Sequence, residues 1–364
     1  MKILHVITTL NFGGAERLMV DLLPLLRDAG HDVELLMFNG ASSEFKQELL
    51  RKGVRIHELS PGGRFYNVFG GFYNPLNIIK IRRYFRDYDV IHTHNTACQL
   101  YVPISKIVFH KSTRLFTTEH NTINRRRSIK FFKYIDKWMY SKYSAVVCIS
   151  EQTSINLRKY IKGLKNICVI QNGIDVKKFT HPVADISQKK TYTVLMVASF
   201  RKQKDHETLL RAMSRLPLNY RLKLVGQDFM EKVPLLKNMC ETLGIEDRVE
   251  FMGARSDVPD IMEASDVMVL SSHWEGFGLA AAEAMASGRP LVASDVGGLR
   301  DVVGDAGVLF PQGDDQALAE KIQFLCEHPD EYRETAARCQ EKASQYDISV
   351  MASKYLDLYQ AVNS

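Results

Sequence analysis

Short apolar runs alternate with longer segments of helical periodicity along nearly the whole chain. The runs are rich in Val, Ile and Leu at consecutive positions, which is typical of parallel strands that are buried on both faces. In the first half the predicted strands are Lys2–Thr8, Asp32–Met37, Arg55–Glu58, Val90–His92, Leu115–Thr118, Ala145–Ile149 and Ile167–Ile170. In the second half they are Tyr192–Val197, Leu222–Val225, Val249–Phe251, Val267–Leu270, Leu291–Ala293 and Gly307–Phe310. Because helical segments such as Ala15–Ala29 and Glu151–Tyr160 fill the gaps, the pattern predicts doubly wound α/β domains with parallel sheets.

The chain has 364 residues, which is long for one core and suits two domains. We predict an N-terminal domain over 1–175, a polar linker over 176–190 and a C-terminal domain over 191–343. A terminal helix is predicted over 344–364, with aromatic and aliphatic residues at helical spacing. These residues leave open whether that helix packs on its own domain or on the first one.

The most specific motif lies between Ser272 and Gly298, which reads SHWEGFGLAAAEAMASGRPLVASDVGG. A loop with two glycines joins a strand to an Ala-rich helix, and Glu275 and Glu283 stand eight positions apart. In parallel sheets such a loop lies at the ligand edge, where the start of a helix offers unpaired N–H groups to an anion. Because carboxylates repel an anion, the two Glu residues are expected to bind hydroxyl groups instead. Phosphate and hydroxyl groups together describe a nucleotide sugar.

The E-x7-E spacing in EGFGLAAAEAMASGRPLVASDVGG resembles retaining glycosyltransferases of family 4, which have the GT-B fold. This resemblance implies two Rossmann-like domains that face each other across a cleft, with the terminal helix over 344–364 crossing back to the N-terminal domain. It also implies that Glu283 binds the ribose hydroxyls and that Glu275 contacts the sugar ring. The backbone of Phe277, Gly278 and Leu279 would meet the sugar and the phosphate. The spacing alone also fits two ordinary glutamates at a helix start.

Three other loops follow predicted strands and carry polar or glycine residues. Gly13 and Gly14 lie in FGGAER, and the resemblance implies that they line the donor diphosphate and the acceptor. Lys204 matches the family's lysine on the leaving diphosphate, where fixed cations stabilise the transition state. The family's arginine position falls on Ser199, and Arg201 is the candidate substitute.

The resemblance further implies that His120, in TTEHN, hydrogen-bonds the transferred sugar; we prefer it to His92 and His94. Gly253 and Arg255 are expected to border the base pocket. Each of these residues also has an ordinary structural interpretation as a turn, a solvated charge or a core histidine.

Charge is divided unevenly along the chain. Residues 1–170 contain 26 Lys and Arg against 13 Asp and Glu, whereas residues 171–364 contain 22 against 29. A basic first domain predicts an anionic partner. Within it, Arg126, Lys130, Lys133 and Lys137 lie on one helical stripe among aromatic residues, which suits an anionic membrane surface or a lipid-diphosphate acceptor. A helix with a solvated cationic face is the alternative.

Several functional classes are not supported by the sequence. No apolar stretch approaches a spanning helix, and MKILHVITTL is interpreted as a buried first strand rather than a signal peptide. The six cysteines lack metal-site spacing and are expected to be buried thiols in a reducing cytoplasm. Asp87-Tyr88-Asp89 matches D-x-D but precedes a strand, so no metal site is predicted. Nucleic-acid motifs are absent.

The sequence therefore predicts a metal-independent, retaining glycosyltransferase with a nucleoside-diphosphate sugar as donor, a UDP-sugar rather than a GDP-sugar. The predicted acceptor is a glycan or a lipid-diphosphate-linked sugar. The segment TEHNTINRRR resembles enzymes of bacterial capsule, exopolysaccharide or O-antigen synthesis, and this resemblance implies such a setting, in the cytoplasm or on the inner face of the plasma membrane. A GT-B nucleotide-sugar epimerase and a non-catalytic basic binding protein are the alternatives.

Overall fold

Seven parallel strands form the sheet of the first part of the chain. The structure is a computed structural model that describes residues 1–11, 13–62, 71–109, 112–120, 125–228 and 230–361. The strand order is β3-β2-β1-β4-β5-β6-β7, and every neighbouring pair is parallel. The strands are β1 (Lys2–Ile7), β2 (Asp32–Met37), β3 (Arg55–Glu58), β4 (Val90–His94), β5 (Arg114–Glu119), β6 (Ala145–Cys148) and β7 (Ile167–Val169).

Both faces of this sheet are covered, as the continuous apolar runs predict. Ile3 and Ile7 of β1 pack on one face with the helix Gly14–Asp28 and the terminal helix Ile348–Ala361. Leu4 and Val6 alternate with them and pack on the opposite face with Val102 and Met139. The strand is therefore buried on both sides because its side chains point alternately to two cores.

Six parallel strands form the second sheet, in the order β10-β9-β8-β11-β12-β13. They are β8 (Tyr192–Val197), β9 (Tyr220–Val225), β10 (Val249–Gly253), β11 (Val267–Leu270), β12 (Leu291–Ser294) and β13 (Val308–Phe310). In each sheet the order of the chain reverses once, between β1 and β4 and between β8 and β11. Loops at the carboxyl ends of these strands diverge, and this leaves a crevice where ligands bind in open α/β sheets.

The helices complete two α/β units. In the first unit they are Gly14–Asp28, Glu44–Arg51, Leu76–Ile81, Thr96–Val108, Lys130–Tyr140, Glu151–Tyr160 and Ile348–Ala361. In the second they are Val176–Phe179, His206–Arg215, Val233–Leu243, Val258–Glu263, Leu279–Ala286, Gly297–Val303, Asp315–Glu327 and Pro329–Ser344. Both sheets are doubly wound, which confirms the predicted fold class.

The chain passes between the units at two points. The first unit comprises Met1–Gly173 and Ile348–Ser364, and the second comprises Ile174–Asp347. Residues 176–190, expected as a linker, pack within the second unit: Ile186 is buried there, and the Arg289 guanidinium donates to the carbonyl of Pro182 at 2.8 Å. Polar composition concealed this packing because backbone carbonyls, rather than side chains, make many of the contacts.

Candidate active site

The loop after β11 brings Glu275 to the carboxyl edge of the second sheet. Gly278 ends the loop at a φ of 89°, a conformation that favours glycine, and the helix Leu279–Ala286 begins at the next residue. Phe277 is buried and packs edge-on against Tyr346, with ring centroids 5.4 Å apart. This buried ring anchors the loop. Glu283 lies in the second turn of the helix and is partly exposed.

Lys204 and Glu275 form an ion pair between the two loops at the reversal point of this sheet. The Lys204 ammonium donates to Glu275 Oε1, and the hydroxyl of Ser272 donates to the same oxygen at 3.0 Å. The side chains are only 18% and 9% exposed, respectively. The structure thus joins two residues that the sequence assigned to different parts of a ligand. A cation that is held by a fixed carboxylate is preorganised to meet another anion.

Backbone and side-chain hydrogen bonds hold the two loops together. The hydroxyl of Ser271 donates to the carbonyl of Asp205 at 2.9 Å, and the side-chain amide of Gln203 donates to the carbonyl of Trp274 at 2.8 Å. The amide of His273 donates in return to the carbonyl of Gln203 at 2.8 Å. The position of Lys204 is therefore determined by the β11 loop as much as by its own.

A third loop approaches from β12. A Cβ on Gly298 would lie 2.4 Å from the carbonyl oxygen of Glu275 and 3.0 Å from that of Gly276. These distances are shorter than van der Waals contact, and the atoms belong to the backbone. The closing V-G-G of the motif thus has a steric role that the sequence did not reveal.

The remaining predicted residues of the second unit are more exposed. Arg201 is exposed, and its carbonyl accepts from the amide of Lys204 at 2.9 Å, so the two belong to the same turn. Gly253 ends β10 at a φ of 67° and is exposed. Arg255 binds Asp257 with two hydrogen bonds, of 2.8 and 2.6 Å. Much of the charge of Arg255 is therefore compensated before any ligand arrives.

In the first unit, Gly13 and Gly14 begin the helix Gly14–Asp28 after β1, and both are exposed. Gly13 is extended, with a φ of −176°, and its carbonyl accepts from the amide of Arg17 at 2.9 Å. Phe12, in the same motif, lies outside the described residues. The arrangement leaves the backbone of this helix start open at the carboxyl edge of the first sheet.

Four histidines lie close together beneath this edge. His92 is fully buried, and its two ring nitrogens are bonded to the hydroxyls of Tyr359 and Thr118, at 2.6 and 2.8 Å. His94 is also buried and lies 3.0 Å from His120, nitrogen to nitrogen, whereas His120 is partly exposed. Of the three histidines considered from the sequence, His120 is the one that a ligand can reach.

Burial keeps these imidazoles neutral and predicts acid sensitivity. Burial lowers the pKa of His5 to about 3 and that of His120 to about 4, and it lowers the pKa values of His92 and His94 well below 6.5. Because the unfolded chain binds these protons below pH 6.5 and the folded chain does not, the free energy of unfolding should fall as the pH drops from 6.5 towards 4. Each histidine contributes up to about 1.4 kcal/mol per pH unit.

Urea unfolding at several pH values would measure this slope. His92→Gln should reduce it by about one proton's contribution, whereas His328→Gln, at an exposed histidine, should leave it unchanged. A slope that is the same in all three proteins would contradict the assignment.

The helix Lys130–Tyr140 has an unusual outer face. Phe131 and Tyr134 are 67% and 73% exposed, and Lys130, Lys133 and Lys137 are exposed beside them. Arg126, predicted on the same stripe, has a side chain outside the described residues.

The inner face of this helix carries its only acidic residue, Asp136, which is buried. Asp136 accepts a hydrogen bond from the Tyr160 hydroxyl at 3.2 Å. Just before the helix, Arg127 forms a 3.1 Å ion pair with the buried Glu119.

The D-x-D sequence lies at the opposite edge of the first sheet. Asp89 accepts from the amide of Lys2 at 2.8 Å, at the amino ends of β1 and β4. Within the described ranges, no group of three or more His, Cys, Asp or Glu side chains could hold a metal ion. Five of the six cysteines are buried and Cys168 is partly exposed, and all six are free thiols.

Two doubly wound parallel sheets with polar loops at their carboxyl edges are the architecture of GT-B glycosyltransferases. Comparison with known proteins agrees. The family model described as Glycosyltransferase Family 4 matches residues 12–178, and the one described as Glycosyl transferases group 1 matches residues 178–346. Together they span nearly the whole chain, which therefore belongs to glycosyltransferase family 4.

Relatives and solved structures of this class resemble the chain over most of its length. N-acetyl-alpha-D-glucosaminyl L-malate synthase of Bacillus anthracis is 25% identical, over 95% of this chain and 93% of that protein. The UDP-Gal:alpha-D-GlcNAc-diphosphoundecaprenol alpha-1,3-galactosyltransferase of Escherichia coli is 24% identical, over 82% and 80%. The fold matches that of Anabaena Alr3699/HepE in complex with UDP and glucose, with a TM-score of 0.85 at 24% identity, over 99% of this chain and 100% of that one.

Proposed function

We propose that this glycosyltransferase moves a hexose from a UDP-sugar to a lipid-diphosphate-linked acceptor, with retention of the anomeric configuration. The observation that carries the proposal is the Lys204–Glu275 ion pair at the reversal point of the second sheet. An ammonium group that is oriented by a carboxylate, beside the open start of a helix, suits a ligand with both a diphosphate and sugar hydroxyls.

The proposed chemistry requires positive charge at the leaving group. The bond between the anomeric carbon and the diphosphate oxygen breaks, and the acceptor oxygen forms its bond on the same face. The acceptor's proton passes to the departing diphosphate. Lys204 and the amides near Leu279 stabilise the negative charge that develops on that diphosphate. In this proposal these groups provide the stabilisation without a metal ion. Glu275 holds Lys204 and contacts the sugar, and we assign no side chain as a covalent nucleophile.

Donor recognition is assigned to the second unit. Glu283 accepts hydrogen bonds from the two ribose hydroxyls, since one carboxylate has lone pairs enough for both. Gly253 and Arg255 border the uracil. The complex of Alr3699/HepE with UDP and glucose supports a uridine nucleotide. In the first unit, Gly13, Gly14 and His120 meet the acceptor and the transferred sugar, and Arg201 is a secondary contact of the diphosphate.

A binding and product assay tests this function. A thermal-shift screen against UDP-, GDP- and ADP-sugars should show that UDP-sugars stabilise the protein. The product assay should then show glycosylation of a lipid-diphosphate acceptor, with the same anomeric configuration in the product as in the donor. Glu283→Ala should weaken UDP binding at least about 100-fold, because each of the two hydrogen bonds to this charged acceptor contributes roughly 1.5–3 kcal/mol. Glu341→Ala, at an exposed helical position of the same unit, is the control.

Three outcomes would contradict the proposal. In the first, no nucleotide sugar stabilises the protein; in the second, the donor is converted to its epimer without any acceptor; in the third, the configuration at the anomeric carbon is inverted. Each result points to a different protein, a binding module, an epimerase and an inverting transferase, respectively.

We further propose that the enzyme works at an anionic membrane surface. Here the lysine–aromatic surface denotes Lys130, Phe131, Lys133, Tyr134, Lys137 and Trp138 on the outer face of the helix Lys130–Tyr140. Exposed aromatic rings enter the lipid interface while lysines meet anionic headgroups. The relative from Escherichia coli is named for an undecaprenyl-diphosphate acceptor, which supports this placement. No helix in the described ranges is long and apolar enough to cross a bilayer.

This surface predicts a charge-dependent membrane affinity. Changing Lys130, Lys133 and Lys137 together to Glu should reduce co-sedimentation with phosphatidylglycerol vesicles by at least 100-fold, because each lysine near the surface contributes about 1 kcal/mol. The matched control changes Lys159, Lys162 and Lys165, which are exposed on the same unit and carry the same charge. An equal loss in both triple variants, or in neither, would rule out the lysine–aromatic surface.

The biological setting follows from the acceptor class. Lipid-diphosphate sugars are intermediates of capsule, exopolysaccharide and O-antigen synthesis, and we propose that the enzyme acts there, on the cytoplasmic side of the membrane.

A further inference from the structure

Three imidazoles form a hydrogen-bonded row that leads from the centre of the first sheet to its carboxyl edge. Nδ1 of His5 lies 3.0 Å from Nε2 of His94, and Nδ1 of His94 lies 3.0 Å from Nε2 of His120. His5 is in the middle of β1, His94 ends β4 and His120 follows β5. The row therefore connects a fully buried ring to the partly exposed ring that the proposed function places on the sugar.

The protons of this row are not independent. A neutral imidazole has one N–H and one lone pair, and each hydrogen bond needs one of each. If His94 donates to His120, it accepts from His5; if it accepts from His120, it donates to His5. Only two arrangements make both bonds: all three protons on Nδ1, or all three on Nε2.

The surroundings of the row preserve this restriction. Burial lowers the pKa of each of the three rings, which keeps them neutral near pH 7. His92 stacks on both His5 and His94, with centroids 5.2 and 4.7 Å away, and it cannot join the row because Tyr359 and Thr118 occupy its nitrogens.

The row has two different ends. At the inner end, Nε2 of His5 is buried and has no hydrogen-bond partner. At the outer end, no residue in the described part of the chain forms a hydrogen bond with Nδ1 of His120, and that ring is partly exposed. The two arrangements therefore differ in what a ligand meets at Nδ1 of His120: an N–H donor in one and a lone-pair acceptor in the other.

We infer that His5, His94 and His120 hold their protons as a single unit, so that His5 and His94 are positioning residues that determine the hydrogen-bonding role of His120. This inference uses the site of the proposed function, but the proton positions are a property of the free protein. The two ideas can therefore fail separately.

Nitrogen NMR of the protein labelled with ¹⁵N-histidine tests the inference directly, because protonated and bare ring nitrogens have well-separated shifts. We expect His5, His94 and His120 to show the same tautomer. A mixed set, such as Nδ1–H on His94 with Nε2–H on His120, would overturn the inference whatever the enzyme's substrate proves to be.

Two variants of the buried end provide the functional test. His5→Leu removes the buried Nε2 that is protonated in only one of the two arrangements, so the ratio of the two tautomers at His120 should change and kcat should change with it by about two- to tenfold, with KM for the donor little changed. His5→Asn keeps an amide against His94 that can either donate or accept, so it can make the inner hydrogen bond in both arrangements, and the tautomers of His94 and His120 should still match.

Equal rates and equal His120 shifts in His5→Leu and the parent protein would overturn the coupling. If His5→Leu does not fold, the spectrum of the parent protein and the His5→Asn variant still decide the question. Loss of transfer with an unchanged His120 tautomer would indicate a purely structural role for His5.

Discussion

Lys204→Ala is expected to slow sugar transfer by roughly 100- to 1,000-fold, which is the usual cost of removing one preorganised group from a developing negative charge. The ammonium is oriented by Glu275 and is largely buried, so water cannot replace it efficiently. Single-turnover transfer from a UDP-sugar measures the effect. Lys202→Ala is the matched control, because Lys202 is exposed in the same turn.

The same substitution should also destabilise the second unit, because it leaves the Glu275 carboxylate without its cation. The free energy of unfolding should fall by roughly 3 kcal/mol. This is the lower end of the usual cost of breaking a buried ion pair, because Lys204 is partly exposed to solvent. The double variant Lys204→Met with Glu275→Gln removes both charges and should recover most of this stability, but not the transfer rate. If the double variant transferred sugar at the parent rate, the pair would be only structural.

Gly298→Ala is expected to displace the loop that carries Glu275. The new Cβ would lie 2.4 Å from the carbonyl oxygen of Glu275, so one of two backbone segments must move. Such overpacking costs about 1–3 kcal/mol, and a shift approaching 1 Å near the reacting groups can cost about 100-fold in rate. Urea unfolding and the transfer assay measure the two effects.

Gly13→Ala is the control for the steric argument. The Cβ on Gly13 would meet a Glu16 carboxylate oxygen at 2.2 Å, but that atom is the end of a flexible side chain and can move away. Gly13→Ala should therefore change stability by less than about 1 kcal/mol, within the range of an altered helix cap. Equal destabilisation by the two substitutions would show that the contact with Glu275 has no special effect.

The polarity of a segment was a poor guide to the boundary between the two units. Residues 176–190 were predicted as a linker because the segment is polar, yet Ile186 is buried in the core of the second unit and Lys189 pairs with the buried Asp266. The chain passes between units at Gly173–Ile174 instead. Residue composition indicates which side chains prefer water. It does not reveal that a segment is held in place through its backbone, as this one is by hydrogen bonds from Arg289 and Gln340 to its carbonyls.

The candidate site was predicted in part. The glycine-rich loop was singled out because it follows an apolar strand, and the carboxyl ends of parallel strands share an edge. Lys204 and His120 also follow strands, but their roles were implied by the family resemblance. The pairing of Lys204 with Glu275 was not predicted, because the two residues are 71 positions apart. Their contact depends on β8 lying beside β11, and no local signal specifies that order.

By itself, the sequence determined the thirteen strands of the described residues, each to within two residues at either end, and its E-x7-E motif indicated the class of enzyme by resemblance to a known family. It could do so because a strand that is buried on both faces must be a continuous apolar run, and because glycine turns are local. Only the tertiary structure decided which buried groups meet: the row of His5, His94 and His120, and the contact of Gly298 with Glu275. Such contacts depend on strand order and register, which are set by packing energies summed over the whole sheet rather than by any short segment.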